Sequence, residues 1–488
     1  MTLDRRICYR ALRTRDSRFD GRFFTAVRTT GVFCRPICPA PTPKLDNCLF
    51  LPSAAAAAER GFRPCLRCRP ETSPGTPAWA GTSPAVTRAL RLIAAGAPGS
   101  DRIDALAKRI GIGERQLRRI FVQHVGAPPR AVARMQRVLF AKNLLDETRL
   151  PMTEVALAAG FSSVRGFNAA IRKTYRRTPR ELRRRSVEPV DGGLRLKLGF
   201  RPPFHWDVLA GYLRARATPG VEQVTDGAYS RTIRIDGNVG WFEVRPSGDN
   251  LEAQIRLDSP AALLGVAERL RRLFDLGADP HEISQQLSQD PQLAPLVKRL
   301  HGLRVPGAWD GFELAVRAVL GQQVTVKGAT TLAGRLVRAF GRRLGRAGAG
   351  GRPQGLEYLF PTPSRLARSE PARIGIPGAR ATTIVELARA VNRGSLILDG
   401  SQDPAETLRR LVELRGVGVW TAQYIAMRAL REPDAFPASD LGLRRACRDS
   451  KGRLPSSAAL ERRSAAWSPW RAYAAVHLWM AESGAVPG

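Results

Sequence analysis

The stretch LRGVGVWTAQYIAMRAL, residues 414–430, decides how the chain is read, together with Asp440 in the following FPASDLGLRRA. Arg415, Gly416, Val417 and Gly418 form a tight hairpin, and Trp420, Thr421 and Ala422 begin a helix. Glycine lets backbone approach a partner closely. Free N–H groups at a helix start attract phosphate. A G-x-G before a helix also fits a plain turn and cap. The acid makes the difference: Asp440 stands just behind a proline and a serine, where it reads as a helix-capping start.

Working outward, 488 residues are too many for one core and predict three to four domains. The 43% apolar share is that of a folded protein. No run of about 18 apolar residues predicts a membrane span. The N-terminus lacks an apolar core before a cleavage site, so the expected address is cytoplasmic. The net charge is +35. Residues 1–190 hold 36 Lys and Arg against 14 Asp and Glu, so +22 of that excess lies in the first two-fifths. Such a balance favours nucleic acid over a solvated Arg-rich surface, because cationic side chains neutralise phosphates. Neither terminus offers the amphipathic basic helix with aromatic anchors that a membrane surface requires.

The seven cysteines argue against a disulfide framework, being odd in number in a long unsecreted chain. Four fall in two pairs, FCRPICPA (Cys34, Cys38) and RPCLRCRP (Cys65, Cys68). That spacing suits one tetrahedral Zn²⁺ held by four thiolates. Arg35, Arg63, Arg67 and Arg69 flank the pairs, where they would lower thiol pKa values and meet phosphates. Cys8 and Cys48 read as buried thiols. Residues 71–84, ETSPGTPAWAGTSP, read as a linker.

Residues 84–186 read as all-helical. IDALAKRIGIGERQLRRIFVQHVG gives helix, turn, helix, with Leu106, Ala107, Ile110, Leu117, Ile120 and Phe121 at core spacing. Arg115, Gln116, Arg118 and Arg119 face outward. The pattern recurs in MTEVALAAGFSSVRGFNAAIRKTYRRTPREL, where Ser162 or Ser163 caps a helix bearing Arg165, Asn168, Arg172 and Lys173. Two such units predict recognition helices in successive major grooves. Residues 190–301 alternate apolar and polar in YSRTIRIDG, VGWFEVRPSG and LEAQIRLDS, which predicts an antiparallel sheet with flanking helices. The remainder, 302–488, reads as largely helical, with a Gly/Arg loop at 341–355.

These motifs carry three resemblances. DGRFFTAVRTTGVFCRPICPA with GFRPCLRCRPE resembles the zinc domain of the Ada adaptive-response regulators, over about residues 4–72. The resemblance implies that Cys34, besides ligating zinc with Cys38, Cys65 and Cys68, accepts a methyl group from a methylated DNA phosphate. AGFSS and GFNAAIRKTYRRTP resemble the AraC/XylS DNA-binding domain. The PCHR motif of a second Ada methyltransferase domain is missing. Instead FRPPFHW, RLFDLGADP, FELAVRAVLGQQV, FPTP, the hairpin, FPASDLGLRRA and WSPWRAYAAVHLW resemble, in order, an AlkA-type 3-methyladenine DNA glycosylase II of the helix-hairpin-helix superfamily.

The resemblance implies a division of labour. Asp440 is the catalytic carboxylate, which stabilises charge on the sugar and orients water. Trp420, Tyr424 and Trp479, with Tyr212, wall the base pocket. The Gly416 and Gly418 amides grip backbone phosphate, with a monovalent cation on the hairpin carbonyls, and Gln323 stands at the DNA wedge position. Arg35, Arg67, Arg115, Arg118, Arg165, Asn168 and Arg172 are the remaining DNA contacts. Trp420 occupies the place where lyase members keep a lysine, which implies a monofunctional enzyme. The expected architecture is multidomain: a zinc-bound α+β domain (1–77), an all-α double helix-turn-helix domain (84–186), an α+β antiparallel-sheet domain (190–301) and an all-α glycosylase domain (302–488). The expected partners are damaged and operator DNA and RNA polymerase, with the protein a monomer. Two other readings stay open: a C-terminal half that only binds DNA, and a zinc domain that only anchors DNA.

Overall fold

The computed structural model describes residues 4–74, 83–96, 102–183, 193–225, 227–345 and 351–483. The chain opens on helix Arg5–Thr14, capped by the Asp4 carboxylate, which accepts from the Arg6 and Ile7 amides. A four-stranded sheet follows, in the order Cys48–Leu51, Phe24–Val27, Val32–Cys34, Arg63–Pro64. Its last pair is parallel and places Cys34 and Cys65 at adjacent strand ends. Seven helices come next, and the 19-residue helix Pro129–Glu147 joins the two helix-turn-helix units. Leu117 and Phe121 are fully buried, as their spacing predicts, Ile120 is half-buried, and in the second unit Phe167 and Ile171 are fully buried. Of the two serines offered as a cap, Ser163 takes the role, accepting from the Gly166 amide at 3.1 Å.

The antiparallel sheet has five strands rather than the three legible in the sequence: Leu194–Gly199, Asn250–Leu257, Asn238–Ser247, Ala228–Ile235 and Glu222–Thr225, in that spatial order. Of the two edge strands, Glu222–Thr225 (EQVT) is short and shows no alternation, whereas Leu194–Gly199 (LRLKLG) does alternate apolar and charged residues and was not among the three expected. Helices complete the chain. Gly311–Leu320 is buried nearly all round (Phe312, Leu314, Ala315, Val316, Ala318, Val319, Leu320) and forms the axis on which the others pack. Among the described residues no helix is long and apolar enough to cross a membrane.

The expected linker is corrected at its start. Pro70–Thr72 is a 3₁₀ turn, and Glu71 and Ser73 are buried. Glu71 lies 3.2 Å from Arg69 and 3.8 Å from Lys142, while Arg69 also meets Glu147 at 2.8 Å. A buried carboxylate needs such cations, so these residues dock on the long joining helix instead of spanning a gap. Residues 75–82 of the expected linker lie outside the described residues. So do residues 346–350 of the expected Gly/Arg loop; its start, Arg342–Arg343, pairs with Tyr358–Leu359. The two halves of the chain are packed together. Arg22 pairs with Asp279 and Glu282, and Arg91 donates to the Leu430 carbonyl at 3.0 Å and to Glu432 at 3.1 Å.

A buried charge network ties the sheet to the axial helix. Glu222 accepts from Tyr229 (2.6 Å), Arg317 (2.8 Å), Arg231 (3.3 Å) and the Thr218 amide (2.9 Å). Glu313 accepts from Arg231 at 2.7 Å and Arg317 at 3.2 Å. Burial alone would raise the Glu222 carboxyl, but Arg317 and Arg231 hold it down at about 2. A depressed carboxyl contributes stability above its unfolded value near ~4.3 and loses it as pH falls toward 2. Glu222→Ala strands two arginines in the interior, and thermal melting is expected to show a loss of about 3–5 kcal/mol.

Candidate active site, zinc centre and recognition helices

The hairpin is shaped by its neighbours. Gly416 has φ +87°, and a Cβ there would lie 2.2 Å from the Thr383 hydroxyl oxygen. That hydroxyl donates to the Arg415 carbonyl at 2.9 Å. Gln322 donates to the Gly416 carbonyl at 2.8 Å and to the Thr421 hydroxyl at 3.1 Å. Gly418 differs: it caps helix Val419–Ile425 with φ −85°, and a Cβ there would meet nothing within 4 Å. Gly416 is thus held by space and by backbone, Gly418 by neither. Gly416→Ala is expected to cost about 1–3 kcal/mol in hairpin geometry, read as a roughly tenfold or greater loss of DNA affinity together with a fall of a few degrees in melting temperature.

Just past the hairpin the helix lines up Trp420, Tyr424 and Arg428 at four-residue spacing. Tyr424 stacks on Trp420 with ring centroids 5.4 Å apart and planes at 8°. Trp479, from helix Arg471–Glu482, stands 6.4 Å from Tyr424. Asp440 faces both tryptophans. Its Oδ2 accepts from Trp420 Nε1 at 2.8 Å, and its Oδ1 accepts from Trp479 Nε1 at 2.9 Å and from the Leu443 amide at 3.0 Å. The capping reading and the site reading are therefore one arrangement: the residue that caps helix Leu441–Ala446 is also held by two indoles at the aromatic cluster. Asp440 is half-buried, so its carboxylate stays reachable. Tyr212, buried on helix Trp206–Arg216, brings its hydroxyl to 3.4 Å from that of Tyr424.

Sequence reasoning missed Arg428. Its Nη1 donates to the Tyr424 hydroxyl at 2.7 Å, while Nε and Nη2 donate to the Pro306 and Gly307 carbonyls at 2.8 and 2.9 Å. The i+4 step from Tyr424 was the available signal; the two anchoring carbonyls are distant in sequence. Gln323 is exposed at the end of the axial helix and has φ +54°. Its neighbour Gln322 is turned back onto the hairpin, so Gln323 and the 38%-exposed Val324 form the outward tip.

In the N-terminal part the four cysteine sulfurs of Cys34, Cys38, Cys65 and Cys68 all lie within 4.8 Å of one another. Tetrahedral zinc with bonds near ~2.3 Å needs about that spacing, so the donor set fits. Cys34 is half-exposed and the other three are buried. Cys8 and Cys48 are buried free thiols, and burial raises Cys8 to about 11. Arg35 departs from expectation. It is buried, donates to Asp20 at 2.9 Å, to the Cys68 carbonyl at 3.1 Å and to Thr72 at 2.6 Å, and so braces the metal loops rather than meeting phosphate. Its backbone amide points at Cys68 Sγ, 3.3 Å away. Arg69 is likewise engaged with acids, whereas Arg67 is exposed. On helices Glu114–Val125 and Val164–Tyr175, Arg115, Arg118, Arg165 and Arg172 are exposed and Asn168 is half-buried.

Comparison with known proteins agrees with this layout. Residues 7–71 match the family described as the metal binding domain of Ada, and residues 106–185 a helix-turn-helix domain. Residues 195–310 match the AlkA N-terminal domain, and residues 316–472 the HhH-GPD superfamily of base excision DNA repair proteins. A probable bifunctional transcriptional activator/DNA repair enzyme AlkA of Mycobacterium tuberculosis is 46% identical over 480 residues, 97% of this chain and 95% of that protein. DNA-3-methyladenine glycosylase 2 of Escherichia coli is 33% identical over 58% of this chain and 96% of its own length. A 3-methyladenine DNA glycosylase of Archaeoglobus fulgidus superposes with a TM-score of 0.52 at 22% identity, over 59% of this chain and 98% of that one, a likeness of fold.

Proposed function

The chain belongs to the family of bifunctional transcriptional activators and DNA repair enzymes of the AlkA type, and from that premise we propose how its residues divide the work. It joins a zinc-binding, helix-turn-helix regulator to a DNA glycosylase. The proposed units are 1–77, 84–186, 190–301 and 302–488.

In the glycosylase half the substrate is alkylated purine such as 3-methyladenine, turned out of the duplex. The observation that carries the reading is Asp440 set against two indole N–H groups and a backbone amide. Three donors fix the carboxylate, yet its half-exposure leaves lone pairs for the reaction. As the bond to the base breaks, positive charge grows on the sugar. A fixed anion beside it stabilises that charge and orients the attacking water. The base leaves with the bonding electron pair; a cationic purine departs neutral and needs no acid. Trp420, Tyr424, Trp479 and Tyr212 hold it through their ring faces. Trp420 offers no amine, so no Schiff base forms and the product is an abasic site. Gly416 and Gly418 grip the strand, the hairpin carbonyls would hold any monovalent cation that assists them, and Gln323 fills the gap in the stack. Measuring base release from methylated DNA, wild type against Asp440→Asn, tests the assignment.

In the regulator half, Cys34, Cys38, Cys65 and Cys68 would hold Zn²⁺, which would keep their sulfurs as thiolates. Cys34 attacks the methyl carbon of a DNA methylphosphotriester. The S–C bond forms, the O–C bond breaks, and the phosphodiester anion leaves. The half-exposure of Cys34 beside three buried ligands supports this choice. Arg67, Arg115, Arg118, Arg165, Asn168 and Arg172 contact operator DNA, and the protein acts as a monomer that engages RNA polymerase.

A further inference from the structure

Behind the base pocket the structure gathers charge that the reading above leaves unused. Two guanidinium groups, from Arg231 and Arg317, pair with two carboxylates, Glu222 and Glu313, and two more, from Arg216 and Arg428, lie against the Tyr212 ring. Arg428 faces the pocket. Its guanidinium lies 5.0 Å from the Tyr212 ring centroid and 5.6 Å from that of Tyr424. The Arg216 guanidinium lies 3.8 Å from the same Tyr212 ring centroid. A pocket for a cationic base therefore has cations at its back wall. Such an arrangement repels its own ligand unless something near Arg428 carries the opposite charge. Asp440 is across the cluster, bound to the tryptophans and reserved for the sugar.

We propose that Arg428 sets the charge selectivity of the base pocket: it holds the Tyr424 oxygen as an anion, and this phenolate makes the pocket accept cationic alkylpurines in preference to neutral bases. The inference rests on the glycosylase reading and deepens it. The geometry is that of a charge-assisted pair, with Nη1 donating to the Tyr424 oxygen at 2.7 Å and the rest of the guanidinium pinned by two carbonyls. Tyr212 stands at 3.4 Å as a second donor to the same oxygen. All the groups facing Tyr424 act consistently. Burial disfavours its ionisation, but Arg428 and Arg216 outweigh burial and, with the Tyr212 hydrogen bond, bring the phenol down to about 7. Glu222, near Arg428, leaves two arginines in excess across the network even when both carboxylates are charged. The Tyr212 phenol shifts the opposite way, raised by burial, so it stays a donor. Ionised Tyr424 then cancels Arg428, and its electron-rich ring strengthens the cation–π contact.

The sign follows. Above the phenol's midpoint the pocket is neutral at its back wall and takes a cation. Below it, Tyr424 is protonated, Arg428 is uncompensated, and cationic bases are repelled while neutral ones are not. The experiment uses the full chain and two duplexes, one carrying 7-methylguanine and one carrying hypoxanthine, and follows the ratio of their kcat/KM from pH 6 to pH 8. That ratio is expected to rise about tenfold across this range, following the phenolate fraction around a midpoint near 7. Arg428→Met should flatten it. Because Arg428 also anchors backbone, Tyr424→Phe is the second variant, and it should flatten the ratio whatever its effect on absolute rates. Tyrosinate absorption that titrates near neutrality in wild type and is absent in Tyr424→Phe would confirm the species. A pH-independent ratio in wild type, or a step that persists in Tyr424→Phe, overturns the inference with the glycosylase intact. Release of neither base would instead remove the glycosylase reading itself.

Discussion

Asp440→Asn is expected to lower the single-turnover rate of base release by roughly 10³-fold, a loss of about 4 kcal/mol of transition-state stabilisation. The substitution is nearly isosteric, and its remaining carbonyl can still accept from the Leu443 amide, so helix Leu441–Ala446 keeps its cap. What disappears is charge. The amide nitrogen then takes the Oδ2 position and cannot accept from an N–H, so the Trp420 indole loses its partner while Trp479 keeps its own. Melting temperature should therefore fall by no more than a degree or two per lost hydrogen bond, and binding to a duplex with an abasic site should survive. That split separates catalysis from folding. Equal release by the variant and wild type would show that the carboxylate takes no part in the reaction and would leave the aromatic cluster as a binding site only.

Exposure to DNA carrying methylphosphotriesters should add the mass of one methyl group to Cys34 and to no other cysteine. The restriction is steric: Cys38, Cys65 and Cys68 are buried and Cys34 is not. The consequence is electrostatic. Four thiolates on Zn²⁺ carry −2, which repels the phosphate backbone; a thioether in place of one leaves −1. One unit charge a few ångströms from a phosphate near a protein surface is worth about 1–4 kcal/mol. Methylation is thus expected to tighten operator binding tenfold or more, and the gain should shrink as salt rises. Cys34→Ala should accept no methyl group while leaving base release by the C-terminal half unchanged. A methyl found on another cysteine, or affinity unaltered by methylation, would reduce the zinc centre to an anchor.

Much of this molecule is readable in its sequence because the relevant spacing is local. The two cysteine pairs, the helix-turn-helix periodicities, the Gly416–Gly418 hairpin and the capping position of Asp440 each depend on neighbours within a few residues. Hydrogen-bonded turns and helix faces are fixed at that range, so residue order alone determines them. The edge strand Glu222–Thr225 is less legible, since the four residues EQVT carry no clean alternation.

Tertiary structure decided the rest. Arg35 and Arg67 look equivalent beside the cysteines, yet only packing puts Asp20 against the first and solvent against the second. Burying a guanidinium costs its hydration and requires a carboxylate, and that carboxylate is 15 residues away. Residues 71–73 look like linker until Lys142 and Arg69 receive Glu71. Arg428 is unremarkable in the sequence. Its meaning comes from Tyr424 and Tyr212, brought together by the packing of helix Trp206–Arg216 against the hairpin helix. Residue order determined which chemical groups the protein owns and the local shape of each motif. Only the fold decided which charges are desolvated together, because long-range Coulomb coupling depends on distance and burial, and neither is written in the order of residues.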